Sequence, residues 1–229
     1  MSLEQNMGKE WYQVLSPFIQ SDTFQKLTTF IQNEYRTKII YPEKENVFKA
    51  FRLCPFDKVK VVFLGHEPYS KPYMANGLSY GVNYKITHVP TSLDFILQEL
   101  ENNLDRRIFL DFDYSFESWA TQGVFMYNTA LTVIKNKPGS HNSEWIDFNK
   151  AVFDALNTYH TGIIFVLLGN DIKHYKNMIG KNHHIIEVPH PAAEGYSGRT
   201  SGFLGSNLFN NINNILQSMN GKQGGIKWT

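Results

Sequence analysis

A chain of 229 residues with 42% hydrophobic and 14% aromatic residues is too apolar to be disordered and long enough for one large domain with a buried core. Its formal net charge of +1 neither requires nor excludes a polyanionic partner. The single cysteine, Cys54, excludes an intrachain disulfide, and no apolar run is long enough to cross a bilayer.

The N-terminal residues 1–10 are polar and lack the basic start and apolar centre of a secretion signal, so we expect an intracellular protein. The first predicted helix follows. Asp22 and Gln25 have the spacing of a capping box, and apolar side chains recur after them at helical intervals. A short helical turn over residues 47–51 then leads the chain towards its first buried strand.

The run Val59–Leu64 is apolar and rich in β-branched residues, which is typical of a strand buried on both faces. Gly65 ends it and opens a loop that carries an imidazole, a carboxylate and a phenol, from His66, Glu67 and Tyr69. An ordinary turn also carries solvated polar residues, so this stretch alone leaves a ligand site and a solvent-facing turn equally open.

The chain then continues with a short Gly-bounded segment, residues 77–82, which we expect to line the same pocket. Thr91 or Ser92 is predicted to cap a helix with one apolar face. A second buried strand, residues 124–128, ends like the first in a polar side chain, that of Asn128.

Two further strands and two helices are predicted in the last third of the chain: a helix over 143–157, strands over 163–170 and 184–191, and a helix over 207–219. The third strand ends in Gly169 and Asn170, and the last functional side chain of the fourth is His190. Strands that alternate with helices predict an α/β fold, here one domain of residues 1–229 with a central four-stranded parallel sheet and helices on both faces.

The polar residues at the four strand ends are expected to meet, because open α/β sheets bind ligands at the carboxyl edge. Each also has an ordinary structural explanation. Asn128 fits a turn cap, Tyr69 and Tyr80 fit core aromatics, and His190 fits a hydrogen-bonded buried histidine. Their joint placement at one edge favours a site.

In its motifs the chain resembles the family-1 uracil-DNA glycosylases, from about residue 11 to residue 228. The similar segments are Gly65-His66-Glu67-Pro68-Tyr69-Ser70, Asn76-Gly77-Leu78-Ser79-Tyr80, Pro90-Thr91-Ser92-Leu93, Glu117-Ser118-Trp119-Ala120, Asn128-Thr129-Ala130-Leu131-Thr132-Val133, the Gly169 loop and His190-Pro191. The resemblance implies a hydrolase of base excision repair that releases free uracil from DNA and leaves an abasic site. It implies no metal and no other cofactor.

The resemblance also implies roles for the residues that bind an extruded base. An Asn128 amide can donate to uracil O4 and accept from N3–H, and it mismatches cytosine, where donor and acceptor are exchanged. Tyr69 would exclude a 5-methyl group, and Tyr80 stands where the family has its stacking phenylalanine. His66 replaces a glutamine in the same substrate loop.

For the chemistry, His190 corresponds to the family histidine that hydrogen-bonds uracil O2 as negative charge develops there. Glu67 stands where the family has an aspartate that orients water and stabilises the positively charged sugar. The usual histidine after Tyr69 is Ser70. Glu67 is one methylene longer than aspartate, and misplacement of about 1 Å can cost a factor of roughly a hundred in rate.

DNA contacts are predicted for Ser92, Gly169 and Asn170, the last two through backbone N–H groups on phosphate. The loop after His-Pro is about three residues longer than in the family and lacks the leucine that enters the duplex. Tyr196 is expected to fill the vacated stack, and Arg199 to contact phosphate.

These departures leave three hypotheses: an active uracil-DNA glycosylase with an unusual carboxylate, a glycosylase for a modified pyrimidine, and a DNA-binding or interaction module without catalysis. For partners, we expect single- or double-stranded DNA, no membrane, a monomer, and a proteinaceous inhibitor or replication protein. His183 and His184 are interpreted as structural or exposed, because no further ligands have zinc spacing.

Overall fold

The computed structural model describes residues 2–83, 86, 88–105, 107, 112–195 and 201–228. The helices in this part are α1 (Leu3–Met7), α2 (Lys9–Val14), α3 (Ser16–Ile19), α4 (Asp22–Thr37), α5 (Lys49–Leu53), α6 (Thr91–Leu104), α7 (Glu117–Ala120), α8 (Ile146–Tyr159) and α9 (Leu208–Asn220). The strands are β1 (Ile40–Tyr41), β2 (Val61–Gly65), β3 (Val124–Asn128), β4 (Val133–Ile134), β5 (Ile164–Leu168) and β6 (His184–Val188). None of these helices is both long and apolar enough to span a bilayer.

The central sheet has four parallel strands in the order β3-β2-β5-β6, which confirms the predicted α/β architecture. Every residue of β2, β3 and β5 is buried, as their continuous apolar composition predicts. In register, Gly65 at the end of β2 lies opposite Asn128 at the end of β3. The loops that follow these strands therefore begin side by side.

Helices cover both faces of the sheet. On one face, Phe125 of β3 packs against Trp11 of α2, and Phe165 of β5 stacks on Phe153 of α8. On the other face, Phe63 of β2 contacts aromatic rings of α7 and α9. Side chains alternate across a strand, so one strand can supply both cores.

A small second sheet was not predicted from the sequence. β1 and β4 pair antiparallel over two residues each, which is too short to show a hydrophobic period. The sheet places residues 135–142, which follow β4, beside the loop that follows β2. The contact is direct, because the Asn136 N–H donates to the Ser70 carbonyl at 2.9 Å.

Several predicted boundaries were wrong by one to three residues. The cap of α4 is Ser21, whose hydroxyl accepts from the Phe24 N–H at 3.3 Å, so Asp22 is already the first helical residue. Neither Thr91 nor Ser92 caps α6, because the helix begins at Thr91 directly after Pro90. α8 starts at Ile146 rather than at residue 143, since a turn over the preceding residues comes first.

Candidate active site

A cavity of about 280 Å³ opens at the carboxyl edge of the parallel sheet. The last residues of β2, β3 and β5 contribute to it, together with the loops that follow β2, β4, β5 and β6, as expected for a ligand site in an α/β sheet. Its lining residues are Gly65, His66, Glu67, Pro68, Tyr69, Ser70, Leu78, Tyr80, Ser92, Asn128, Pro138, Leu168, Asp171, Ile172 and His190.

Seven of the predicted site residues line this one cavity: Glu67, His190, His66, Tyr69, Tyr80, Asn128 and Ser92. Gly169 lies behind it, since a Cβ added there would come within 2.7 Å of the His190 Cβ. Its N–H donates to the Val188 carbonyl at 2.9 Å and is therefore not free for a phosphate, contrary to expectation. Asn170 is exposed and does not line the cavity, and Tyr196 and Arg199 lie outside the described residues.

The Asn128 amide lines the cavity directly against Gly65. Its side chain lies over Gly65, where an added Cβ would be 2.3 Å from Asn128 Oδ1 and 2.7 Å from Ser79 Cβ. Ser79 is itself fixed, because its hydroxyl donates to the Phe63 carbonyl and its N–H to the Met126 carbonyl, both at 3.0 Å. The glycine at this strand end is therefore required by the close approach of the amide.

The Glu67 carboxylate is anchored from the loop that follows β4. The Gly139 N–H donates to Glu67 Oε2 at 2.7 Å. Burial raises the pKa of Glu67 above its ordinary value, although the Gly139 hydrogen bond and the nearby His66 and His141 partly oppose this. Partial burial of a carboxylate inside a cleft is the environment expected of an acid or base that acts on a ligand.

The His190 imidazole has a defined tautomer when neutral. Its Nδ1 accepts a hydrogen bond from the Ala192 N–H at 3.2 Å, so the single ring proton sits on Nε2. Burial lowers the pKa of His190, His66 lowers it further, and Asp171 opposes both. The neutral form is therefore favoured, with Nε2–H as a donor.

Two tyrosines form the apolar wall. The Tyr69 hydroxyl donates to the Tyr80 carbonyl at 3.4 Å, and the Tyr80 ring lies 6.2 Å from the His190 ring at 49°. Burial raises the pKa of both phenols, so both stay neutral. Tyr80 has a positive φ of 58°, a rare conformation for an aromatic residue and one that occurs at ligand sites.

Comparison with known proteins shows the family to which the chain belongs. The model of the uracil DNA glycosylase superfamily matches residues 51–217. The chain belongs to this superfamily. A uracil-DNA glycosylase from Bacillus pumilus (strain SAFR-032) is 37% identical over 224 residues, which cover 97% of this chain and 96% of the relative. One from Borreliella burgdorferi (strain ZS7) is 38% identical over 216 residues, covering 93% and 94%.

Solved structures of the superfamily show the same fold. The crystal structure of mimivirus uracil-DNA glycosylase has a TM-score of 0.87 and 27% identity, and covers 100% of this chain and 89% of its own. The mimivirus UNG Y322L variant, in complex with UGI, has a TM-score of 0.86 and 26% identity, with coverage of 99% and 90%.

The loop that follows β4 also contacts the imidazole of the substrate loop. Asn142 Nδ2 lies 3.1 Å from His66 Nε2, so the His66 ring is held from the same loop that anchors Glu67. Sequence reasoning missed Asn142, Gly139 and Asp171. Asp171 could have been found, because it follows Gly169 and Asn170 at the third strand end, whereas no motif marks the other two.

Proposed function

We propose that this chain is a uracil-DNA glycosylase, which hydrolyses the bond between uracil and deoxyribose in DNA as the first step of base excision repair. The observation that carries the proposal is the convergence of Asn128, Glu67 and His190 on one small cavity, in a chain related to uracil-DNA glycosylases over nearly its full length. A cavity of about 280 Å³ is slightly below the usual range for drug-sized ligands, which suits a single base.

Base recognition follows from the groups in the cavity. A duplex base must be extruded before its sugar bond can be reached. The buried Asn128 amide would pair with O4 and N3–H of the everted uracil, and a wrongly paired cytosine would leave buried polar groups without partners. Tyr69 would close the space beside C5, and Tyr80 would stack on the ring.

The chemistry follows from two groups of opposite role. As the glycosidic bond breaks, negative charge moves to uracil O2 and positive charge to the sugar. Nε2–H of neutral His190 would donate to O2 in that transition state. The Glu67 carboxylate would stabilise the sugar cation and take a proton from the attacking water.

The longer side chain of Glu67 has a specific anchor in this chain. Gly139 binds Oε2, which fixes the added methylene and leaves Oε1 to hold water. Ser70 lines the cavity where the family has a histidine, and we propose that it does not replace that imidazole. We further propose that the chain is a single domain and that it acts on DNA inside the cell. A protein inhibitor such as UGI is a further candidate partner.

The test is direct. Purified protein is incubated with an oligonucleotide that contains one uracil, and abasic sites are revealed by alkaline cleavage. We expect free uracil, with activity lost in Glu67→Gln and His190→Ala. The matched controls His184→Ala, an exposed histidine of β6, and Glu144→Gln, an exposed carboxylate, should be active.

Two results would contradict the proposal. Faster release of a C5-substituted pyrimidine than of uracil would assign the site to a modified base. DNA binding without release of any base, at enzyme in excess over substrate, would make the chain a binding module.

A further inference from the structure

A patch of exposed apolar and basic side chains adjoins the mouth of the cavity. We call it the Tyr73 patch; it comprises Ile39, Lys71, Tyr73, Lys135 and Lys137. Tyr73 is 71% exposed and Ile39 is 57% exposed. Such exposure of large apolar side chains beside a ligand site marks a surface for a partner or for an extended part of the ligand.

The patch is continuous with the cavity rim. Ser70 lines the cavity, and its carbonyl accepts from the Asn136 N–H at 2.9 Å, which brings residues 135–137 beside residues 70–73. The Lys135 N–H donates to the Ile39 carbonyl, also at 2.9 Å, which adds Ile39 to the same surface. Pro138, directly after Lys137, lines the cavity as well.

The backbone holds the Tyr73 ring outward. Tyr73 has a φ of 63°, which a bulky aromatic residue rarely adopts. The next residue, Met74, is buried, and its carbonyl accepts from the Asn83 N–H at 2.9 Å. The chain is thus anchored immediately after a strained residue whose ring packs into no core. Packing does not explain the strain, and strain of this kind clusters at ligand-binding sites.

The charge of the patch fits a polyanion. Lys71 and Lys137 are exposed, and Lys135 is partly exposed. One carboxylate, that of Glu43, lies near the patch. Burial raises the pKa of Tyr41, and Tyr73 and Glu43 raise it further, which shows that both residues lie close to Tyr41. Glu67 is a second carboxylate close by, because the Gly139 N–H, two residues after Lys137, binds it. Three lysines with these two carboxylates still leave an excess of positive charge.

We infer that Tyr73 is a stacking platform for a base that flanks the extruded uracil, with Lys71 and Lys137 next to the adjoining phosphates. The inference rests on the proposed function, because a strand that delivers a nucleotide into the cavity must cross the rim on either side of it. An outward aromatic ring with lysines around it is the arrangement that binds single-stranded nucleic acid without sequence preference.

The experiment measures binding and catalysis separately. Fluorescence anisotropy gives the Kd for a labelled, uracil-free thymidine oligonucleotide, and steady-state assays give KM and kcat on the same strand with one central uracil. We expect Tyr73→Ala to weaken binding about fivefold or more, the factor that corresponds to the lower limit of stacking on one base, and to raise KM in parallel with little change in kcat.

Three variants serve as controls. Tyr73→Phe keeps the ring and should bind like the wild type. Tyr73→Gly removes the ring but accepts the positive φ, so loss of binding in this variant is not a folding defect. Tyr159→Ala removes a comparably exposed tyrosine, 67% exposed, at the end of α8 and at the opposite edge of the sheet. Lys137→Gln should reduce the slope of log Kd against log salt by about 0.7.

Binding of Tyr73→Ala and Tyr73→Gly within twofold of the wild type would overturn the inference. So would normal DNA binding together with lost binding of UGI, which would make the patch a protein-docking surface. The anisotropy assay needs no catalysis. Failure of the wild type to release uracil would therefore count against the proposed function alone, and loss of the Tyr73 effect against this inference alone.

Discussion

Gly65→Ala is the smallest substitution that should disable the site. The Cβ would lie 2.3 Å from Asn128 Oδ1, against about 3.4 Å for an ordinary contact, so the amide must move by about 1 Å. Ser79, whose Cβ would lie 2.7 Å from the added Cβ, cannot move away, because it is fully buried and hydrogen-bonded to both β2 and β3.

The magnitude follows from the displacement. Misplacement of a substrate-positioning group by about 1 Å costs a factor of roughly a hundred, so kcat/KM for uracil should fall about a hundredfold. Overpacking of a buried position costs about 1–3 kcal/mol, and we expect the free energy of unfolding to fall within that range. The protein should therefore stay folded at 25 °C while it loses most of its activity.

The assay is a double-mutant cycle with Asn128→Ala. If Gly65→Ala acts by displacing the amide, the double variant should be no slower than Asn128→Ala alone, because the group to be displaced is already gone. Two results would refute this explanation of the Gly65→Ala effect. One is a kcat/KM for the double variant that falls by the product of the two single-variant factors. The other is a kcat/KM for Gly65→Ala within threefold of the wild type.

Three further outcomes are expected. Because burial raises the pKa of Glu67, which must be ionised to act, the acid limb of a pH profile of kcat/KM should lie above pH 4.5; a limb below that value would contradict the role of burial. Burial raises the pKa of Glu194, but hydrogen bonds from the N–H groups of Ser201, Leu204 and Phe203 outweigh it and lower the pKa to about 2. Glu194→Gln should therefore lower Tm at pH 7. The difference in Tm between the variant and the wild type should vanish as the pH falls from about 4.5 towards about 2, because the wild-type carboxylate is then protonated. A difference in Tm that stays constant over this range would argue against a stabilising role of the ionised carboxylate. A chelator should leave the rate of uracil release unchanged, and a loss restored by added metal would contradict the proposed chemistry.

The sequence predicted the sheet well because its central strands are buried on both faces. A run such as Val61–Gly65 is apolar throughout, without alternation of apolar and polar residues, and it ends at a glycine. Both features can be recognised in the sequence without knowing which strands pair with it. The cavity could be predicted from the same strands, because parallel strands have their carboxyl ends at the same edge of the sheet. The helix caps were less predictable, because Ser21 and Asp22 are both good caps and tertiary packing chooses between them.

The support of the site was not predictable from motifs. Gly139 holds Glu67 through a backbone N–H, which any residue except proline possesses. The short β1–β4 pair that brings this loop to the cavity has only two residues in each strand. Such contacts depend on the fold as a whole, and a pattern of side chains does not record them.

We expect the position of the proposed catalytic carboxylate to depend on a buried network whose members do not line the cavity. Trp145 Nε1–H donates to Thr132 Oγ1 at 2.9 Å, and Thr132 Oγ1 is hydrogen-bonded to His141 Nδ1 at 2.8 Å. On the other side of the ring, His141 Nε2 lies 3.1 Å from Glu34 Oε2.

Burial raises the pKa of Glu34, but Lys38, at 2.6 Å from Oε1, and His141 outweigh burial and lower it, so Glu34 is ionised and holds the imidazole. His141 is two residues from Gly139, whose N–H anchors Glu67. The network therefore fixes the loop to α4 from behind. We expect this network to keep the Glu67 carboxylate, which is one methylene longer than the aspartate implied by the family resemblance, at a single place in the cavity, instead of sampling the additional rotamers that its length allows.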